Sequence, residues 1–219
     1  MDINKYFSAN DLETIEAEVK SVEKEISGEI VPVILENSGR YTIAIYRAAI
    51  IGALMGFIIT ILADRYTDWF TIYDPLIYFA ITVLFGIIGA IKVISFPFLR
   101  RMLAGKNLLT ESVQKKAEEF FLREEVFKTI QRTGILICIS LFEKKIIILA
   151  DKGISEKVDQ ELWNKIVEEI SDDMKSKNYL NGILKAIRKC KDILLENGFS
   201  ITPDDKDELS NKVRVQREK

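Results

Sequence analysis

Histidine is absent from all 219 residues, and this absence removes several kinds of chemistry. Without it, the chain cannot build a Ser-His-Asp or Cys-His catalytic centre, a histidine metal site or the usual proton shuttle near neutral pH. Cysteine is almost absent too, and Cys138 and Cys190 sit in apolar patterns typical of buried thiols rather than of a disulfide or metal pair. The net charge of −2 gives no reason to expect a nucleic-acid partner.

Charge is also missing from two long stretches of the chain. Ala48–Ala63 is uncharged, and with Ile43–Tyr46 it reaches about 20 residues, the length that crosses a hydrocarbon core of roughly 30 Å. Pro75–Ile91 is a second uncharged run. The two runs predict a transmembrane hairpin with helices at about 43–63 and 75–97. Because no acid lies within either run, an ion pathway is not indicated.

The charges that flank these runs differ in sign. The connector 64–74 holds Arg65 against three aspartates, whereas the opposite ends of both runs are basic. By the positive-inside rule, this asymmetry predicts a multi-pass membrane protein with both termini in the cytoplasm. The basic residues at those ends are Arg40, Arg47, Lys92, Arg100, Arg101 and Lys106.

Small residues recur at four-residue spacing inside both runs. Gly52 and Gly56 lie in the first, and Gly86 and Ala90 lie in the second. Such faces let helix backbones approach closely. Packing within the hairpin is the favoured interpretation, and a seam between two copies of the chain, giving a homo-oligomer, stays open as the alternative.

The segment before the first run has the pattern of a water-soluble domain. Ser8 and Asp11 form a capping-box signature at the start of a helix. Glu29–Leu35 follows as a β-rich run, in which Pro32 must lie at a sheet edge or bulge because it lacks an amide donor. The apolar residues of the helix recur at three-four spacing, namely Leu12, Ile15, Val19, Val22 and Ile26.

The complementary elements come only after the second run. An amphipathic helix begins near Leu109, and Gly134–Phe142 is apolar on both faces, as in a central strand. A tight turn leads into Ile146–Ala150, so these two strands should form a hairpin. Ser155 is expected to cap the next helix, and a last helix ends at Asn197 before a glycine.

This order predicts one α/β domain that is split in the sequence. We expect a small mixed β-sheet with helices on both faces, an α/β/α sandwich, interrupted by the two-helix transmembrane hairpin. The expected parts are a first domain segment at 1–42, the hairpin at 43–99 and a second domain segment at 100–199. Residues 200–219 form a polar C-terminal tail that is expected to be extended or disordered.

Three phrases give the chain a family resemblance. "SGEIVPV" at Ser27–Val33, "RTGILICISLFEKKIIILADKGI" at Arg132–Ile154 and "PDDKDEL" at Pro203–Leu209 resemble the TPM domain family. The inserted hairpin is similar to that of its bacterial membrane branch, and this resemblance implies the inner (plasma) membrane of a bacterium. The resemblance implies an α/β/α sandwich and, for some members, calcium binding, acid-phosphatase activity or a role in assembling membrane complexes.

Two of these phrases, at Ser27–Val33 and Arg132–Ile154, also predict a cluster of polar residues. If the strand from Glu29 runs parallel to the strand from Gly134, and the strand before Asp151 runs antiparallel to the latter, then Glu29, Arg132, Thr133 and Asp151 converge on one edge. Such a set could hold a phosphate or a hard cation such as Ca²⁺ or another divalent ion, with Glu29 and Asp151 as metal ligands. The favoured alternative is that Arg132 pairs with a carboxylate and only pins the fold together.

Two functions follow as hypotheses. The first is a non-enzymatic scaffold, assembly or regulatory module, with the lipid bilayer and other membrane proteins as partners. The second is a metal-assisted, acid-phosphatase-like hydrolase that uses carboxylates. The first is favoured, because the sequence offers neither a nucleophile–base pair nor a glycine-rich phosphate loop, and it identifies no catalytic residue and no certain cofactor.

Overall fold

The computed structural model describes residues 3–66, 75–202 and 208–217. The chain divides into two units, one formed by Met1–Ser38 with Thr110–Lys219 and the other by Gly39–Leu109. Asp68 and Asp74 of the predicted connector, and all but the last two residues of the "PDDKDEL" phrase, lie outside the described residues.

The first unit is built on a mixed four-stranded sheet, as the sequence predicts. Its strands are β1 (Glu29–Leu35), β2 (Gly134–Ser140), β3 (Lys145–Ala150) and β4 (Arg214–Gln216), in the spatial order β3-β2-β1-β4. β1 pairs parallel with both β2 and β4, whereas β2 and β3 form an antiparallel hairpin. The register sets Glu29 opposite Gly134 and Ile135 opposite Ala150, so β1 and β2 begin where β3 ends.

Helices cover both faces of this sheet. They are α1 (Ala9–Glu23), α5 (Lys106–Arg123, which enters this unit at Thr110), α6 (Lys152–Ser155), α7 (Gln160–Lys175) and α8 (Tyr179–Glu196), with short 3₁₀ helices at Ile3–Lys5 and Val126–Lys128. Along β1, Ile30 and Ile34 belong to a core shared with α1, α7 and α8, whereas Val31, Val33 and Leu35 belong to a second core shared with α5. This period-two alternation on a strand buried from both sides makes the central layer of an α/β/α sandwich.

Of the two helix N-caps predicted from the sequence, Ser8 is correct and Ser155 is wrong. The capping box before α1 is confirmed, because Ser8 N–H donates to Asp11 Oδ2 at 2.7 Å and Asp11 N–H donates to Ser8 Oγ at 3.2 Å. Ser155 does not cap a long helix. It ends the single turn of α6, and α7 begins only at Gln160, with Asp159 at its N-cap position. The reason is that α6 is started by the Asp151 side chain, which leaves Ser155 already helical.

Part of the C-terminal tail joins the sheet, since β4 lies within the segment 200–219 that the sequence predicts to be an extended or disordered polar tail. β4 pairs with Val33–Leu35 along the edge of β1. The segment is fixed by the Val213 amide, which donates to Glu16 Oε1 at 3.0 Å, and by an Arg214–Glu124 ion pair at 3.0 Å. With only three residues and a polar composition, β4 leaves no periodic signal in the sequence.

The second unit contains two long apolar helices, α2 (Thr42–Tyr66) and α3 (Pro75–Ser95), followed by α4 (Pro97–Ala104). Both α2 and α3 are long and apolar enough to cross a membrane. α3 ends at Ser95, whereas the sequence predicts a helix that continues to about residue 97. Pro97 occupies the first turn of a new helix, and Phe96 before it has extended backbone angles, as a residue before proline prefers.

Glycines let α2 and α3 pack against each other within the hairpin. A Cβ atom at Gly52 would lie 2.4 Å from the carbonyl oxygen of Phe85, and one at Gly89 would lie 2.4 Å from that of Ala48. At Gly56 it would lie 2.7 Å from Phe85 Cβ. These distances leave no room for a side chain, so the glycines serve contact between α2 and α3, the interpretation that the sequence favoured.

Candidate functional site

The Arg132–Asp151 ion pair lies at the end of the sheet where β2 begins and β3 ends. Arg132 Nε donates to Asp151 Oδ2 at 2.6 Å, and Nη2 donates to Oδ1 at 2.9 Å, which makes the contact bidentate. Asp151 is only 4% exposed, whereas the Arg132 side chain is 50% exposed. The hydrogen bond to Asp151 raises the pKa of Arg132, so the guanidinium stays charged.

The backbone around this pair explains why it forms. Arg132 has a left-handed conformation (φ +57°), and its carbonyl accepts from the amide of Gly153 at 2.9 Å. A Cβ atom at Gly153 would lie 2.4 Å from the Gln131 carbonyl oxygen, so only glycine allows this approach. Asp151 Oδ1 also accepts from the amide of Lys152 at 2.8 Å. Both ends of the strongest family-like phrase therefore interlock.

Glu29 and Thr133 meet through their backbones. The Glu29 amide donates to the Thr133 carbonyl at 3.2 Å, and the Thr133 amide donates to Thr129 Oγ1 at 2.9 Å. The buried Glu29 side chain binds the C-terminal segment, since its Oε1 accepts from the amide of Glu208 at 3.0 Å. Glu208 Oε2 in turn accepts from the Ile130 amide at 2.8 Å. All four residues predicted from the sequence therefore lie at this edge.

Glu29 and Asp151, the predicted metal ligands, are not part of a metal-binding cluster of carboxylates among the residues that the structure describes. Within 3–66, 75–202 and 208–217, no group of three or more Asp, Glu or Cys side chains is placed to hold a metal ion. Asp151 already accepts three hydrogen bonds, two from Arg132 and one from Lys152. The pair therefore joins chain segments and leaves the carboxylate little capacity for a further ligand.

A second polar cluster, which sequence reasoning missed, lies at the opposite end of β1 and β2. Ser140 is fully buried, and its hydroxyl donates to Glu143 Oε2. Ser38 donates from its hydroxyl to Ser140 Oγ at 3.0 Å and from its amide to Glu143 Oε1 at 2.9 Å. Glu36, also buried, accepts from the Ile3 amide at 2.9 Å.

The position of this serine–glutamate cluster could have been found from the sequence. In open α/β sheets, polar groups collect at the carboxyl ends of parallel strands, and these residues lie at the end of β2 or within three residues after β1 or β2. The cluster fixes the path of the chain at Ser38, immediately before the second unit begins at Gly39. Nearby, burial and then the charge of Glu143 raise the pKa of Cys138 to about 12, so this thiol is no nucleophile.

Comparisons with known proteins agree with this fold. Residues 102–193 match the family model of the TPM domain. The chain is also similar to the NMR structure of the BA42 protein from the psychrophilic bacterium Bizionia argentinensis, with a TM-score of 0.59 and 20% identity over 98% of this chain and 99% of that one. At that identity the likeness concerns the fold alone. No curated protein matches the chain. The resemblance found in the sequence is thereby confirmed over residues 102–193, the part of the chain that matches the TPM domain model.

Proposed function

We propose that the protein is a membrane-anchored TPM domain that acts as a non-enzymatic scaffold, assembly or regulatory module for other membrane proteins. The observation that carries the proposal is the outer surface of α2 and α3. Leu54, Ile58 and Ile91 remain 57%, 54% and 56% exposed although the two helices pack together. A continuous apolar surface of this kind belongs in lipid or against another protein, because water penalises it.

The polar clusters of the α/β unit favour a scaffold over an enzyme. Arg132 and Asp151 tie the start of β2 to the start of α6, and Glu143 ties the end of β2 to the end of β1. Each carboxylate is engaged by donors that hold the chain in place. Such groups support a rigid surface for partner binding rather than a proton transfer.

The anchoring predicts a definite orientation, testable with single cysteines in place of Phe70 and Asp204. Impermeant maleimide should label the first in intact cells and the second only after lysis, because the basic ends of the helices stay in the cytoplasm. Wild type is the control, since Cys138 and Cys190 are buried and should stay unlabelled in both conditions. Labelling of position 204 but not 70 in intact cells would reverse the proposed orientation.

A metal-assisted hydrolase remains a second candidate because of one contact. The Glu208 amide on Glu29 Oε1 brings the end of the acidic "PDDKDEL" phrase to the start of β1. Carboxylates from the two phrases could then share Ca²⁺ or another divalent cation with the edge that holds Asp151.

Asp151→Asn separates the two candidates in thermal melts with and without Ca²⁺. For a scaffold, the variant should lose about 1–2 kcal/mol, because two charge-assisted hydrogen bonds weaken, and Ca²⁺ should change neither melt. For a hydrolase, Ca²⁺ should raise the Tm of wild type only. Asp172→Asn is the matched control, since that side chain is 91% exposed. Release of phosphate from a generic phosphomonoester by wild type, lost in Asp151→Asn, would contradict the scaffold.

A further inference from the structure

We propose that α4 and the basic residues around it form a binding site for anionic phospholipid headgroups. The proposal rests on the membrane anchoring proposed above and goes beyond it, because it names the lipid class that the anchor selects. Every residue involved belongs to the unit Gly39–Leu109.

The first observation is the shape of α4. It begins at Pro97, one residue after α3, and ends at Ala104, because the C-cap residue Gly105 has a φ of +89°. Phe98 and Met102, one turn apart, are 66% and 58% exposed, and Phe96 just before them is 50% exposed. Ile94 near the end of α3 is also 56% exposed, so exposed apolar side chains occur on both sides of the break between α3 and α4. Short amphipathic helices with this pattern lie in the plane of a membrane interface.

The second observation shows that α4 is fixed to α2. Arg47 Nη1 donates to the carbonyl oxygens of Leu103 at 2.6 Å and Ala104 at 3.3 Å. These carbonyls end α4, where a cation is favoured by the helix dipole and by the missing intrahelical donors. Arg47 therefore caps the C-terminal end of α4. The contact holds α4 beside the basic end of α2.

The third observation is the charge at this end of the hairpin. All acidic residues of 39–109 lie in or beside the connector, at Asp64, Asp68 and Asp74. The opposite end carries only positive charge, with Arg100 and Arg101 on α4 itself and Lys92 exposed on α3. Lys92 Nζ lies 5.8 Å from the centroid of the Phe96 ring, which places a cation beside the apolar face.

Together these features select one ligand chemistry. The apolar face suits the boundary between headgroups and acyl chains, and the adjacent guanidinium and ammonium groups suit phosphate oxygens that carry net negative charge. A soluble acidic peptide would complement the charge but would leave Phe96, Phe98 and Met102 in water. Phosphatidylglycerol is thus the appropriate probe, and zwitterionic phosphatidylcholine is the neutral comparison.

The test measures lipids that stay bound to the purified full-length chain. Protein exchanged into an equimolar mixture of phosphatidylglycerol and phosphatidylcholine should retain the anionic lipid with a preference of about tenfold, by native mass spectrometry. Arg100→Gln/Arg101→Gln should bring the ratio close to one. Arg100→Lys/Arg101→Lys should keep most of it, because charge near the headgroups carries the effect. Arg65→Gln, the matched control at the connector end, should leave the ratio unchanged.

The outcomes distinguish this inference from the anchoring itself. If wild type and all variants insert equally into phosphatidylcholine vesicles but retain both lipids equally, the headgroup site is wrong and the anchor stands. If wild type does not insert into vesicles of either composition, both proposals fall. An unchanged ratio in Arg100→Gln/Arg101→Gln would also overturn the site, since the preference would then come from other residues.

Discussion

Deletion of residues 1–38 is expected to abolish cooperative folding of the α/β unit. The deletion removes β1, a fully buried strand that pairs with β2 along its whole length and with β4 at its end. It also removes α1, which buries Ile15, Val19 and Val22 in the larger core. The lost burial far exceeds the total stability of a domain, which is about 5–15 kcal/mol. The remaining strands β2 and β3 would form only a two-stranded hairpin.

The measurement is urea unfolding of the fragment 110–219, followed by the fluorescence of Trp163, its single tryptophan. Trp163 is 2% exposed in the intact unit, so its emission reports the core. The fragment should show no cooperative transition and should bind a dye for exposed apolar surface. The control replaces residues 39–109 by a Gly/Ser linker and should unfold cooperatively. A cooperative transition in 110–219 alone would mean that the first helix and strand are dispensable.

Gly134→Ala is expected to be the most destabilising single methyl addition considered in the α/β unit. A Cβ atom there would lie 2.1 Å from the carbonyl oxygen of Val126 and 2.7 Å from Val126 Cγ1. Backbone cannot move away as a flexible side chain can, so the start of β2 must shift. Because Asp151 N–H donates to the Gly134 carbonyl, that shift also disturbs the end of β3. We expect a loss of about 3 kcal/mol or more.

Gly182→Ala is the matched control for this experiment. A Cβ atom at Gly182 would lie 2.3 Å from the terminal methyl of Met174, a group that can rotate away. The change also gains helix propensity within α8, by up to about 1 kcal/mol, so little net loss is expected. Urea melts of the full chain in detergent, in a Trp69→Phe background, compare the two. Equal losses would show that the contact with Val126 does not restrict Gly134.

The elements with strong local signals were predictable from the sequence. Gly134–Phe142 and Ile146–Ala150 are separated by a turn that permits only an antiparallel hairpin, and the observed strands differ from these bounds by only one or two residues at an end. The meeting of Arg132 with Asp151 at one edge followed from strand direction alone. The position of Pro32 at a sheet edge was also predictable. Among the described residues, β4 pairs only with Val33–Leu35, so β1 is the edge of the sheet at Pro32.

The features that the sequence did not predict depend mostly on contacts between segments that are distant in the chain. β4 is three residues long, and it forms only because β1 offers an unpaired edge and Glu16 an acceptor for Val213. The cluster of Ser38, Ser140 and Glu143 has no periodicity, so only the directions of β1 and β2, which bring their carboxyl ends together, could have pointed to its position. The break between α3 and α4 did carry a signal, since Pro97 removes an amide and constrains Phe96, but the apolar run masked it.

The split of the sheet sets the order of events during synthesis. Ser38 and Glu143, which are hydrogen-bonded in the cluster, are 105 positions apart in the chain. A ribosome adding roughly 5–20 residues per second needs on the order of 5–20 s to make that stretch. For this interval β1 has no partner, while α2 and α3 are already complete. Under the membrane anchoring proposed above, the apolar hairpin can insert before the α/β unit closes, so this unit finishes folding while attached to membrane-inserted helices.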